Sequence, residues 1–87
     1  MKVIKSDDKR EDFDNNKVRR GIEEAAKRTD IDDNRAKEIA DKVAKDIEDN
    51  FKDKDEVKSA DIRERILERL NEEERKVADS FRDYKKE

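Results

Sequence analysis

Glu11-Asp12-Phe13-Asp14-Asn15-Asn16-Lys17-Val18-Arg19-Arg20-Gly21-Ile22 is the stretch where the chain passes from extended to helical spacing. Asp14 is a good N-cap, because its carboxylate can accept a hydrogen bond from a backbone N–H of the first turn. Phe13 just before it and Val18 four residues after it form a hydrophobic staple. Val18, Ile22, Ala25 and Ala26 then recur at helical spacing as one apolar stripe. The pattern predicts a helix over Asn15–Arg28, ended by Thr29-Asp30. Gly21 sits inside it, where Gly costs about 1 kcal/mol against Ala, so the sequence implies a close approach to the backbone at that point.

Upstream, helical spacing is missing. Val3-Ile4-Lys5 reads as a short strand, Ser6-Asp7-Asp8-Lys9 as a turn and Arg10-Glu11-Asp12-Phe13 as the return strand. A lone hairpin is marginal in water, so this one must pack on helices. Downstream, Ile31 and Asp32 repeat the staple-and-cap pattern. A long stripe follows: Ala36, Ile39, Ala40, Val43, Ile47 and Phe51, predicting a helix over Asp33–Phe51. Lys52-Asp53-Lys54-Asp55 reads as a charged connection. Ser59 reads as the N-cap of a third helix, over Ala60–Leu70, that buries Ile62, Ile66, Leu67 and Leu70. Asn71 with Glu74 resembles a capping box for a fourth helix, over Glu72–Lys85, with Val77, Ala78, Phe81 and Tyr84 as its stripe. The fold class is therefore mostly α (α+β): a four-helix domain capped by a small N-terminal β-hairpin. The expected organisation is a single domain over 1–87, with the hairpin in 1–13 and the helical bundle in 14–86.

Composition sets limits on function. With 87 residues there is room for one small domain and one modest core. Charged residues are 59 % of the chain and hydrophobic ones 30 %, a balance that alone would suggest disorder. The net charge is only -3, however, and the apolar residues keep regular spacing, which favours a folded, heavily charged domain. One Gly and no Pro, among so many charges, suit a thermophilic or a designed protein. There is no Cys and no His, which removes thiol chemistry, the usual zinc ligands and the commonest general base. No basic excess marks a nucleic-acid-binding face. No apolar run approaches the roughly 20 residues of a membrane span, and Met1 to Ser6 is too short and charged for a signal peptide. The expected setting is the cytoplasm, with no nucleic acid and no membrane as partner.

Constellations for catalysis are missing. The chain has no phosphate-loop motif, no Gly-rich dinucleotide motif and no Ser–His–Asp set, so it is expected not to be an enzyme. Asp30, Asp32, Asp33 and Asn34 look slightly like a calcium loop but lack its Gly and distal Glu, and read better as the acidic start of a helix. No metal ligands are assigned. What remains is the hand-off from hairpin to helix. Lys5 on the first strand, Glu11 on the second and Lys17 at the helix start can converge. Ammonium groups and a helix N-terminus suit phosphate, and a carboxylate such as Glu11 or Asp14 can accept from an exocyclic amine.

Over nearly its whole length the chain resembles the ATP-cone family. The carrying residues are Val3-Ile4-Lys5, the stretch from Glu11 to Ile22 and Ala25-Ala26, then Val57-Lys58-Ser59-Ala60-Asp61-Ile62, and finally Val77-Ala78, Phe81 and Tyr84-Lys85-Lys86. The family opens with a Val-x-Lys-Arg-Asp-Gly hairpin, then an acidic residue, then Phe-Asp-x-x-Lys followed by Ile, Leu or Val at the start of a helix. Its members bind ATP or dATP, usually with magnesium, beneath the N-terminal cap. They are found at the N-terminus of ribonucleotide reductases and, behind a zinc ribbon, in the bacterial repressor of reductase genes.

The resemblance implies roles by position. Val3 and Phe13 would flank the base, and Val18 would help line its pocket. Lys5 would meet phosphate, Glu11 and Asp14 would face the adenine or sugar, and Lys17 would sit at the rim. Ser59 and Arg63 would approach the sugar and phosphates, and Lys86, with Lys85 beside it, would reach the phosphate tail. Two positions depart from the family: Ser6 stands where it usually has Arg, and Asp8 where it usually has Gly. One cation is lost and one anion gained beside the expected phosphates, and both changes weaken binding. The implied function is a stand-alone regulatory domain that senses ATP or dATP and acts on a partner protein or as a homo-oligomer. The alternative is a non-catalytic structural or interaction module, natural or designed, that keeps the fold without the ligand.

Overall fold

Asp14 and Asp32 begin the first two helices as their spacing predicts. In the computed structural model, which describes residues 1–83, the Asp14 carboxylate accepts from the Asn16 backbone N–H at 3.0 Å and the Asp32 carboxylate from that of Arg35 at 2.8 Å. Helices α1 (Asn15–Lys27) and α2 (Asp33–Phe51) follow these caps. Ahead of them, strands β1 (Lys2–Ile4) and β2 (Arg10–Asp12) pair antiparallel, with Val3 opposite Glu11. The Lys5 carbonyl accepts from the Asp8 N–H at 2.9 Å, and the Lys5 N–H donates to the Lys9 carbonyl at 2.8 Å. Ser6, Asp7 and Asp8 thus form a three-residue hairpin loop, and Asp8, at φ 68°, takes the left-handed position that such loops reserve for Gly.

The second half departs from the sequence reading in three places. A third strand, β3 (Glu56–Lys58), pairs parallel to β1, with Val57 opposite Val3, so the sheet order is β2-β1-β3. The hairpin is therefore part of a three-stranded sheet whose last strand interrupts the predicted bundle. Ser59 is not an N-cap. Pairing with Ile4 holds Lys58 extended, Lys58 takes the cap position with no side-chain hydrogen bond, and Ser59 is the first residue of α3 (Ser59–Glu73). The proposed capping box at Asn71 and Glu74 is absent as well. Asn71 lies within α3, which runs a turn longer than predicted. Glu74 is extended; its N–H closes α3 on the Leu70 carbonyl at 2.8 Å, and its own carbonyl accepts from Val77 and Ala78 at the start of α4 (Arg75–Asp83). Tyr84, assigned to the last stripe, lies outside the described residues.

Among the described residues, α1 packs on α2 and α4, and α3 packs on the same two helices. Of the predicted stripes, Ile22, Ile39, Val43, Ile47, Ile62, Ile66, Leu70, Val77 and Phe81 are buried, together with Val57, while Val18 and Phe51 are only partly buried. Leu67 is only half-buried against that core. No polar side chain is buried in this core among the described residues. Ionic contacts instead line the seams. Arg65 Nε lies 3.0 Å from Asp46 Oδ2 between α3 and α2, and Arg35 of α2 donates at 3.1 Å to the Glu73 carbonyl, one of the free carbonyls at the end of α3. No helix among the described residues is long and apolar enough to cross a membrane.

Candidate functional site

The sheet register decides what faces the helices. Side chains alternate along a strand, so Val3 and Lys5 share a face, as do Glu11 and Phe13. The cross-strand pairs Val3–Glu11 and Val3–Val57 put all of them on one side of the sheet, with Val57 buried below. Beneath that face, α1 and α3 leave a groove that runs toward α4. At the sheet end is a slot of about 140 Å³ lined by Val3, Glu11, Asp12, Phe13, Asp14, Lys17, Val18, Ser59 and Ile62. Beyond it a hollow of about 220 Å³ shares Lys17, Val18, Ser59 and Ile62 with the slot and adds Gly21, Arg63, Ile66 and Phe81. A wider cavity, about 570 Å³, is lined by Lys5, Lys17, Arg20, Gly21, Glu24, Arg63 and Phe81.

The two ends differ in character. The slot has an apolar floor of Val3, Phe13, Val18 and Ile62 with Glu11, Asp12, Asp14, Lys17 and Ser59 around it, and the wide cavity is rimmed by Lys5, Lys17, Arg20 and Arg63. Glu11 sits where the two meet. Its carboxylate accepts from Lys17 Nζ at 2.8 Å and lies 3.2 Å from Lys5 Nζ. The hydrogen bond from Lys17, with help from Lys5, holds the Glu11 carboxyl below its ordinary range, and Glu11 in turn raises the Lys17 ammonium. Arg63 reaches across to α4. One of its Nη atoms lies 3.4 and 3.3 Å from the carbonyls of Phe81 and Arg82, and the guanidinium lies 5.1 Å from the centre of the Phe81 ring. That arrangement ties α3 to carbonyls of α4 and adds a cation–π contact. A slot with an apolar floor, convergent ammonium and guanidinium groups, and an open cavity are features suited to a ligand with a flat apolar part and an anionic tail.

The sequence profile of the ATP cone domain matches residues 1–87. The chain belongs to the ATP cone family. ATP cone domains are nucleotide-sensing regulatory domains and not catalytic ones. No curated protein and no solved structure gives a significant match.

Of the positions that the resemblance singled out in this ATP cone, Val3, Glu11, Phe13, Asp14, Lys17, Val18 and Ser59 line the slot, while Lys5 and Arg63 line the wide cavity. Lys17 belongs to both. Asp14 has a second task, since its carboxylate caps α1. Lys85 and Lys86 lie outside the described residues. Four residues that line the wide cavity were not assigned to the site from the sequence. Arg20, Gly21 and Glu24 follow Lys17 at helical spacing on the same face of α1, and that period alone points to them once Lys17 is placed. Phe81 read as core and is both, buried at 8 % exposure yet forming a wall of two hollows. The departing residues Ser6 and Asp8 lie in the hairpin loop just beyond Lys5. Among the described residues, no group of three carboxylates, or of other metal-ligating side chains, could hold a metal ion.

Proposed function

We propose that this ATP cone binds ATP or dATP in the groove beneath its sheet and acts as a regulatory domain. The observation that carries the reading is the polarity of that groove: a slot with an apolar floor and a cavity rimmed by Lys5, Lys17, Arg20 and Arg63 adjoin at Lys17. The base lies in the slot between Val3, Phe13 and Val18, with Asp14 and Ser59 at its edge. The triphosphate lies in the wide cavity, whose volume of about 570 Å³ is within the usual range for ligand sites. The net charge of -3 repels a triphosphate at a distance, so the local cations must outweigh it at close range. Lys5 and Lys17, held by Glu11 without ligand, turn part of their hydrogen bonding to phosphate. Magnesium, where it accompanies the nucleotide, takes phosphate oxygens and water as its ligands, as this ion commonly does.

Calorimetric titration with ATP and with dATP, each with magnesium, tests the reading. Lys5→Ala removes a charge-assisted contact worth about 1.5–3 kcal/mol, so affinity falls roughly ten- to a hundredfold. Ser6→Arg with Asp8→Gly adds a cation and removes an anion beside the cavity, and affinity rises. The competing reading, an interaction module that keeps the fold without the ligand, draws support from those same two residues. It prevails when the restored double variant binds neither nucleotide at millimolar concentration.

A further inference from the structure

Gly21 is the single glycine of the chain and stands in the middle of α1. A glycine there lowers helix stability by comparison with alanine, so something must offset that loss. Two ordinary reasons are excluded. Its φ is not positive, so the backbone needs no glycine. A Cβ built at the position meets only one atom of another side chain, Phe81 Cε1 at 3.6 Å, which is normal van der Waals contact, so packing needs no glycine either. What remains is the open side. Gly21 lines both the 570 Å³ cavity and the 220 Å³ hollow, between Lys17 one turn earlier on α1 and Arg63 on α3.

We infer that Gly21 determines ligand size at this site, by leaving the α1 surface bare so that the anionic tail of a nucleotide can lie against it. This rests on the nucleotide reading above and adds a prediction that the reading does not make. Gly21 lines the cation-rimmed cavity and the hollow beside it but not the slot, so a side chain at position 21 takes up space outside the slot. It therefore discriminates by phosphate number: a long tail is excluded, while a nucleoside that occupies only the slot is not. Binding energy is given up by steric overlap alone, since no charge is changed.

The test compares wild type, Gly21→Ala and Gly21→Leu, each titrated with ATP and with adenosine and followed by NMR and thermal melting. Ala and Leu are both strong helix formers. Gly21→Ala is expected to raise the melting temperature by roughly 2–8 °C. ATP affinity is expected to fall in the order wild type, Ala, Leu, by about tenfold or more for Leu, with adenosine affinity held within about twofold. Equal ATP affinity in wild type and Gly21→Leu overturns the inference and leaves the nucleotide reading standing. Parallel losses for ATP and adenosine overturn it as well, because they report a general disturbance of the groove. Absence of ATP binding to the wild type is seen in the first arm and removes the nucleotide reading itself, and this inference with it. If Gly21→Leu does not fold, the Gly21→Ala arm decides: higher stability with unchanged ATP affinity contradicts the inference.

Discussion

At Asp8 the backbone φ is 68°, a conformation that costs an L-residue with a side chain roughly 1–2 kcal/mol and Asp somewhat less. Asp8→Gly is expected to stabilise the protein by up to about 1 kcal/mol, a rise of roughly 4–8 °C in a domain of this size. Thermal denaturation of the variant checks this, and an unchanged or lowered midpoint contradicts it. The position was marked in the sequence only through the family resemblance, which has Gly where Asp8 stands. Single residues with one local task read well in general: Asp14 and Asp32 accept the hydrogen bonds expected of caps. Ser59 did not, although its chemistry suits a cap. Its neighbour Lys58 is held extended by pairing with Ile4, more than fifty residues away in the chain, and no local pattern reports such a partner. Phe81 was legible as core and illegible as a site wall, because periodicity gives a face and not the gap beside it.

At the scale of elements, the helices were legible and the third strand was not. Stripes of Ile, Val and Ala mark α1 and α2 over several turns, so their spans differ from the reading by a residue at most. Strand β3 has three residues and one apolar side chain, Val57, flanked by Glu56 and Lys58, which is too little to show alternation. Its parallel pairing with β1 also needs the whole of α1 and α2 as a crossover. The hairpin half of the site was therefore readable, whereas the strand that fixes where α3 begins was not. The stripes carry a firm prediction. Ile47 on α2 and Leu70 on α3 are fully buried, and truncating either to Ala is expected to cost about 2–5 kcal/mol, through lost transfer energy and the cavity left behind. With so small a core, that is a large share of total stability. Urea denaturation of Ile47→Ala and Leu70→Ala measures it, and midpoints equal to wild type contradict the packing described for these helices.

Over the whole molecule the charges nearly cancel, and ion pairs such as Lys2–Asp12 and Lys76–Asp30 are exposed, so each of these adds little to stability. Their pH dependence still has a definite sign. Hydrogen bonds from Lys17, Lys2 and Lys76 hold Glu11, Asp12 and Asp30 below their ordinary values of 4.5, 3.8 and 3.8. The stabilisation from these carboxylates is present in full above those ordinary values and is lost as pH falls through the lower folded ones. Lys17, raised above its ordinary 10.5, contributes fully below that value and loses its contribution only as pH climbs through the higher folded one. With no His in the chain, the melting temperature is expected to stay nearly flat from about pH 5.5 to 8 and to fall gradually below about pH 4.5. A step near pH 6.5 would be inconsistent with this set of titrating groups. The central claim, a nucleotide seated in the groove beneath the sheet, is tested most directly by a two-dimensional NMR titration of the backbone amides with magnesium and ATP, repeated with dATP. The predicted result is saturable shifts concentrated at Val3, Lys5, Glu11, Phe13, Lys17, Val18, Gly21, Ser59 and Arg63, with the far ends of α2 and α3 around Lys37 and Leu70 unmoved. No shifts at millimolar nucleotide, or shifts scattered over the surface lysines without saturation, would contradict it.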